Sequence, residues 1–184
     1  DKNIVEPDGT ADLPIFVRGS EGRPEFRSVF NFAGQYMVFE NFYLYNASIS
    51  VRIPGGTTEV FNHISIRNCE LEGNGTTSGR AGIHAGSNTE HIVIYNNHIH
   101  HGGDYSYEGE NDVHGTTSSM NSHYIWIVDN HIHHMGGDSF QAGHAAEQTI
   151  SHIYIGRNDM HENGEEAIDL KDVTDIIISQ NTLH

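Results

Sequence analysis

Acidic, imidazole and amine side chains recur at wide, regular intervals in this 184-residue chain, and those best spaced for proton transfer are Asp112, His114, Asp138, Glu165, Glu166 and Lys171. Asp112 and His114 flank the apolar Val113. On an extended strand alternate residues share a face, so these two would project together about 7 Å apart. Asp138 follows one repeat later, and Glu165 with Glu166 one repeat after that. Carboxylates gathered in this way suit a hard cation such as Ca²⁺, which takes oxygen donors, so Asp112, Asp138, Glu165 and Glu166 are the candidate metal ligands. Lys171, one of two lysines in the chain, joins His114 and Asp112 as a candidate catalytic group, because proton transfer needs a positioned acid or base.

The elements that would position these groups are repeats. Ile92-Val93-Ile94-Tyr95-Asn96-Asn97-His98-Ile99-His100-His101 returns as Ile125-Trp126-Ile127-Val128-Asp129-Asn130-His131-Ile132-His133-His134. The same frame starts at Met37, Ile64, Ile153 and Ile176, and from Ile64 onward its spacings are 28, 33, 28 and 23 residues. Apolar and polar residues alternate inside the frame, as in a strand that buries one face. A parallel β-helix has this signature, with coils of roughly 20 to 30 residues and loops absorbing the remainder. Asn97, Asn130, Asn158 and Asn181 fall in one column, with Cys69 and Phe42 in their place in the two earlier coils. An inward asparagine at a coil corner can bond its neighbour about 4.8 Å away, so the column reads as an asparagine ladder.

A second strand aligns within each coil. Gly79 to Gly86 sits over Gly109 to Thr116, Gly136 to Gly143 and Gly164 to Lys171. In this alignment the leading glycines mark a corner that needs a permissive backbone. Ile83, Val113, Phe140 and Ile168 point inward, so His84, His114, Gln141 and Asp169 form an outward row. Beside it run Gly86, Thr116 and Gly143, all small, ending at Lys171. A polymer could lie along such a channel, with His84, Gln141, Asp169 and Arg80 as its binding residues. Asp169 and Lys171 are also placed to pair with each other at the surface, an interaction worth little.

Fifteen histidines invite a metal reading as well. His100, His133, His161 and His184 fall in one outward column headed by Glu72, and His98 and His131 in the next. Neutral imidazole suits zinc or copper. Parallel stacking sets the rings side by side, which favours a solvated imidazole ladder over a converging site. No His-Glu-x-x-His, Cys-x-x-Cys or calcium nonapeptide repeat occurs.

Composition excludes some partners. The formal charge is −16, from 25 acidic against 9 basic groups, so there is no basic patch for nucleic acid. No apolar run is long enough for membrane insertion. One cysteine, Cys69, rules out an internal disulfide, and its ladder position points to a buried structural thiol. With 36% apolar residues and no linker, residues 1–184 read as one domain: an irregular entry and first coil over 1–30, then regular coils over 31–184. Strands stop abruptly at both ends, so further coils are expected on one or both sides, and open ends could associate end to end.

The opening Leu13-Pro14-Ile15-Phe16-Val17-Arg18-Gly19, the coil phrase Ile-x-Ile-x-x-Asn-x-Ile, and Glu166-Ala167-Ile168-Asp169-Leu170-Lys171 together resemble the pectate lyase-like superfamily of right-handed parallel β-helix proteins. The resemblance covers residues 13–184 and implies an all-β solenoid of about six to seven coils, extracellular or at the cell surface, facing a polysaccharide. It implies one of three activities, since function is carried by sites and not by the coil. A calcium-dependent lyase would map its base to Lys171 and its Ca²⁺ ligands to Asp112, Asp138 and Glu166, cleaving an acidic polysaccharide by β-elimination. A uronate C5-epimerase is resembled by Asp112-Val113-His114 followed by Asp138, although the family's Pro is missing between that Asp and His, and Gly109 stands where it has Tyr. A glycan-binding tailspike, adhesin or fibre module would use the same coil without chemistry, with Tyr105 and Tyr107 as its aromatic contacts. The hydrolase branch uses an adjacent aspartate pair, which this chain lacks.

Overall fold

The computed structural model describes residues 8–51, 59–109, 111–143 and 149–184, and the backbone of 3–5. Glu110, part of the second-strand alignment, lies outside the described residues. Among the described residues, twenty-one strands form three all-parallel sheets of seven, each sheet taking every third strand. Parallel neighbours joined through two other sheets make a coil, and right-handed crossover makes it a right-handed parallel β-helix. No helix among the described residues is long and apolar enough to cross a membrane.

The sheets differ in character. The long-strand sheet holds Phe61–Arg67, Thr89–Tyr95, Ser122–Val128, Ile150–Gly156 and Val173–Ser179, with Gln35–Glu40 and Ile15–Arg18 before them. Its register places Met37, Ile64, Ile92, Ile125, Ile153 and Ile176 in one file, the frame read from sequence. Ile15 pairs with Met37, so the entry segment carries this frame back one more coil. The repeated ten-residue phrase is two strands, since a turn at Asn96 and Asn97 separates Thr89–Tyr95 from His98–His100.

Two kinds of left-handed residue explain the coil's shape. Tyr36, His63, His91, Tyr124, His152 and Asp175 all have φ between 50° and 58°. Each adds one residue to its strand, so the inward positions are Phe61, Ile64 and Ile66 in one coil and Thr89, Ile92 and Ile94 in the next. Asn41, Asn68, Asn96, Asp129, Arg157 and Gln180 are also left-handed, at the corner just before the ladder. Asn and Asp tolerate that region best among non-glycine residues, which accounts for Asn41, Asn68, Asn96 and Asp129 at this corner.

The ladder is internal. Asn97, Asn130 and Asn158 are each 2% exposed. The backbone N–H of Cys69 donates to Asn97 Oδ1 (3.0 Å), that of Asn97 to Asn130 Oδ1 (2.9 Å), that of Asn130 to Asn158 Oδ1 (2.9 Å), and that of Asn158 to Asn181 Oδ1 (2.9 Å). Each side-chain amide also donates to the carbonyl of an interior isoleucine, as Asn130 Nδ2 does to Ile94 (2.9 Å). Around this line Ile92, Ile94, Ile99, Ile125, Ile127 and Ile132 are fully buried.

The short-strand sheet corrects the second-strand alignment. Ile83 pairs with Thr116, Thr116 with Phe140, and Phe140 with Ile168. The 109–116 segment is therefore displaced by three residues from the sequence alignment, with Thr116 in the inward place assigned to Val113. Thr116 is fully buried because its Oγ1 donates to the Ser139 carbonyl (3.1 Å), so a satisfied hydroxyl replaces an aliphatic group. The outward row is His84, Thr117, Gln141 and Asp169, without His114. The small row runs Gly86, Ser119, Gly143 and Lys171. The glycine corner passes through Gly79, Gly102–Gly103, Gly136 and Gly164, not Gly109: Gly103 N–H donates to the Gly79 carbonyl (3.1 Å) and Gly136 N–H to that of Gly102 (2.6 Å). The extra residues of this coil loop out after Gly103 and are pinned by Asn111, whose Oδ1 accepts the Asp104 N–H (3.3 Å) and whose Nδ2 donates to the Thr77 carbonyl (3.0 Å).

Replacing Asn130 with Leu strands the Asn97 N–H and the Ile94 carbonyl inside the coil, and chemical denaturation should show a loss of about 1–3 kcal/mol. Ser87→Ala, at an exposed site, should change stability by less than about 0.5 kcal/mol. Equal costs would contradict the internal ladder.

Candidate functional site

The displaced loop carries His114 inward. It is 7% exposed, and its Nδ1 accepts the backbone N–H of Asp138 at 3.0 Å while lying 3.3 Å from Asp138 Oδ2. The two contacts ask for opposite protonation at Nδ1. Both contacts fall on Nδ1, so Nε2 is the ring nitrogen that Asp138 does not engage. Asp138 is fully buried. Its Oδ1 accepts the Glu166 N–H (2.9 Å) and its Oδ2 the Gln141 side-chain amide (3.3 Å). Burial alone would raise this carboxyl's proton affinity, but His114 and the Glu166 N–H outweigh it and hold the pKa below the ordinary value.

Glu165 completes the group. One ligand atom from each of His114, Asp138 and Glu165 lies within 4.8 Å of the others. Its pKa is raised, first by desolvation and then by the Asp138, Asp112 and Glu166 charges, with His114 opposing. Two neighbouring carboxyls are thus pushed in opposite directions, Asp138 down and Glu165 up, as unlike surroundings do to paired carboxyls.

Asp112 is exposed and lines a groove of about 380 Å³ with Arg80, His84, Val113 and His114. His84 Nδ1 lies 3.0 Å from the Thr117 hydroxyl. The structure thus joins Asp112, His114, Arg80 and His84 in one groove and Asp138, Glu165 and Gln141 in the adjoining cluster. Lys171 and Asp169 form a surface ion pair (2.7 Å) at the end of the outward row. That hydrogen bond, chiefly, raises the lysine's pKa, which makes the amine a poor proton acceptor and leaves it a cation.

A Ca²⁺ cage does not fit these residues. Both Asp138 oxygens are taken by protein donors in a fully buried position, and the third member of the cluster is an imidazole, whereas Ca²⁺ requires six to eight oxygens.

Two surfaces complete the picture. On the long-strand face the left-handed column stacks Tyr36, His63, His91, Tyr124 and His152 with ring centroids 4.5 to 4.8 Å apart. Beside it Tyr124, Trp126, His152, Tyr154 and Ile177 line a groove of about 600 Å³. Sequence reading missed this platform and named Tyr105 and Tyr107, because the aromatic residue sits at the residue inserted into each strand and breaks the alternation. On the third sheet His98 pairs with His131 and His100 with His133, as the columns predicted, and His161 stacks on His184 at 4.8 Å. Rings from different columns also meet, with Nε2 to Nε2 distances of 2.9 Å for both His98–His133 and His131–His161. Burial, reinforced by neighbouring imidazoles, pushes His98 down to about 4 and His133 to about 3.

No known family model and no curated protein matches the chain. Among solved structures, the catalytic domain of a GH87 alpha-1,3-glucanase in complex with nigerose is similar, at 14% identity over 97% of this chain and 47% of that one, with a TM-score of 0.44. A variant of a GH87 alpha-1,3-glucanase catalytic domain, in complex with tetrasaccharides, gives 13% identity, the same coverage and a TM-score of 0.45. This chain therefore spans about half the length of the structures it matches.

The depressed histidines set a pH dependence. Their folded pKa values lie below the unfolded value of about 6.5, so below that pH the unfolded chain binds protons that the coil does not, and acid favours unfolding. In metal-free buffer, stability should be flat above pH 7 and fall between pH 6.5 and 5 by about 1–2 kcal/mol for His98 and His133 together, allowing for screening of these half-buried groups. A melting temperature unchanged over this range would contradict the assignment.

Proposed function

We propose that this coil is a polysaccharide-active enzyme that removes the proton α to a uronate carboxylate at the Glu165–His114–Asp138 centre and cleaves the chain by β-elimination. The observation that carries the reading is the convergence of Glu165 and His114 on the buried Asp138, one ligand atom of each within 4.8 Å of the others. Glu165 takes the proton, since elevated proton affinity brings a carboxylate closer to a working base. His114, with Nδ1 occupied, offers Nε2–H to the oxygen on which enolate charge develops, and Asp138 holds the ring in that orientation. Arg80 and Lys171 are the cations for substrate carboxylates. This moves the base from Lys171 and His114, where sequence alone placed it, to Glu165. Expulsion of the glycosidic oxygen gives an unsaturated sugar, whereas reprotonation from the opposite face gives epimerisation. Secretion to the cell exterior is part of the same proposal.

A second reading, hydrolysis, draws on the preponderance of carboxylates at the site. With Glu165 protonated as acid and the exposed Asp112 as base for water, the same pair could cleave a neutral glycan. The non-catalytic alternative is a glycan-binding module.

Incubation with a panel of uronate polymers and neutral glucans separates these readings. Elimination gives ultraviolet absorbance from unsaturated ends and does not require Ca²⁺. Glu165→Gln should lower turnover by about two orders of magnitude or more, as expected for a proton-transfer group, while Lys171→Ala should mainly weaken substrate affinity. New reducing ends without absorbance would replace elimination with hydrolysis, and altered C5 stereochemistry without cleavage would replace it with epimerisation. Full activity of Glu165→Gln would remove the site assignment, and binding without any product would leave the glycan-binding module.

A further inference from the structure

The third sheet presents an array of metal-ligand side chains that the polysaccharide site does not use. Two groups on it share no residue: Glu70, His98 and His100 in one, His131, Asp159 and His161 in the other. Within each group one ligand atom per residue lies within 4.8 Å of the others. Each combines ligands from two successive coils, since Glu70 pairs in register with His98, and His131 with Asp159.

Three buried side-chain atoms among the described residues lack a hydrogen-bond partner, and two belong to these groups: His100 Nε2 and Asp159 Oδ1. His100 is 7% exposed, and its Nε2 points at Glu70 Oε1 from 3.5 Å, too far for a hydrogen bond. A buried polar atom left unpaired is costly, and a cation between the two would satisfy both. In the second group the 2.9 Å between His131 Nε2 and His161 Nε2 is near the roughly 3.3 Å that separates two nitrogens on a tetrahedral metal with bonds of 2.0–2.1 Å.

We propose that this face binds two divalent transition-metal ions of the zinc class, one at Glu70–His98–His100 and one at His131–Asp159–His161. Two imidazoles and a carboxylate suit zinc, nickel or copper and leave a coordination position for water. Neither Ca²⁺ nor Mg²⁺ fits, because both require mainly oxygen donors. Each ion joins adjacent coils, so binding fastens the solenoid along its axis. A competing central group, His98, His131 and His133, draws one residue from each site and would hold a single ion instead.

The test uses the tag-free chain titrated with Zn²⁺ by calorimetry, with bound metal counted after desalting and Mg²⁺ as the control. Two ions per chain and a melting temperature that rises with Zn²⁺ but not with Mg²⁺ are expected, since a ligand bound only by the folded state stabilises it. Glu70→Ala and Asp159→Ala, both at partly exposed side chains, should each reduce the count from two to one, and the double variant to none. His123→Ala, on another sheet, should keep two. Circular dichroism of each variant without metal confirms the coil, and a variant that loses the coil is replaced by Glu70→Gln or Asp159→Asn, for which the same counts apply. Absence of Zn²⁺ binding would overturn the proposal. So would one ion per chain retained by both carboxylate variants, which would assign binding to the central group, or equal loss in His123→Ala.

Discussion

Everything in this molecule depends on the backbone ladder between coils, which repeats about every 4.8 Å and fixes each residue over its counterpart. Once coils are stacked at that spacing, like residues form columns, and a column inside the coil must satisfy every polar atom it contains. The asparagine ladder does so by bonding the next corner's N–H and an interior carbonyl at once. Isoleucine files fill the remaining volume. A column outside is under a different constraint: identical charges would repel along the axis, whereas neutral imidazoles and aromatic rings stack at the coil spacing. The stacked Tyr36–His63–His91–Tyr124–His152 line and the His98–His131 file are consequences of that rule.

Where the pattern has a strong period, it was legible. The file from Met37 to Ile176, the asparagine column and both histidine columns appear in the structure in the register that the sequence spacing gives. The sheet of Ile83–Ala85, Thr116–Ser118 and Phe140–Ala142 was harder, because its inward position accepts Thr116 as readily as Phe140. Aligning on Val113 favoured hydropathy over a hydroxyl that finds a carbonyl. The resulting three-residue displacement turned a buried histidine into an apparent member of the surface row. The aromatic platform escaped for a related reason: its residues occupy the left-handed position inserted into each long strand.

The same displacement determines the chemistry available. With His114 in the outward row, it would have been a solvent-exposed imidazole among small side chains. Carried inward by the loop that Asn111 pins, it meets the buried Asp138, whose negative charge adds to desolvation in raising Glu165. Asp138 and Glu165, from successive coils, thereby acquire opposite shifts in proton affinity from position alone. The members of this centre were named from sequence, but not their arrangement, since burial of Asp138 follows from which residue fills the inward file one coil earlier.

The register of the short-strand sheet is therefore the point on which the account rests, and disulfide trapping tests it directly. Residues paired across neighbouring parallel strands lie within the 4.4–6.8 Å Cα separation that a disulfide needs, whereas a three-residue displacement adds about 10 Å along the strand. The pair Thr117→Cys with Gln141→Cys, oxidised in the folded chain and read by mass spectrometry, should close a disulfide in high yield. The pair His114→Cys with Gln141→Cys should not. Efficient closure of the His114 pair and none of the Thr117 pair would restore His114 to the outward row and contradict the site built here.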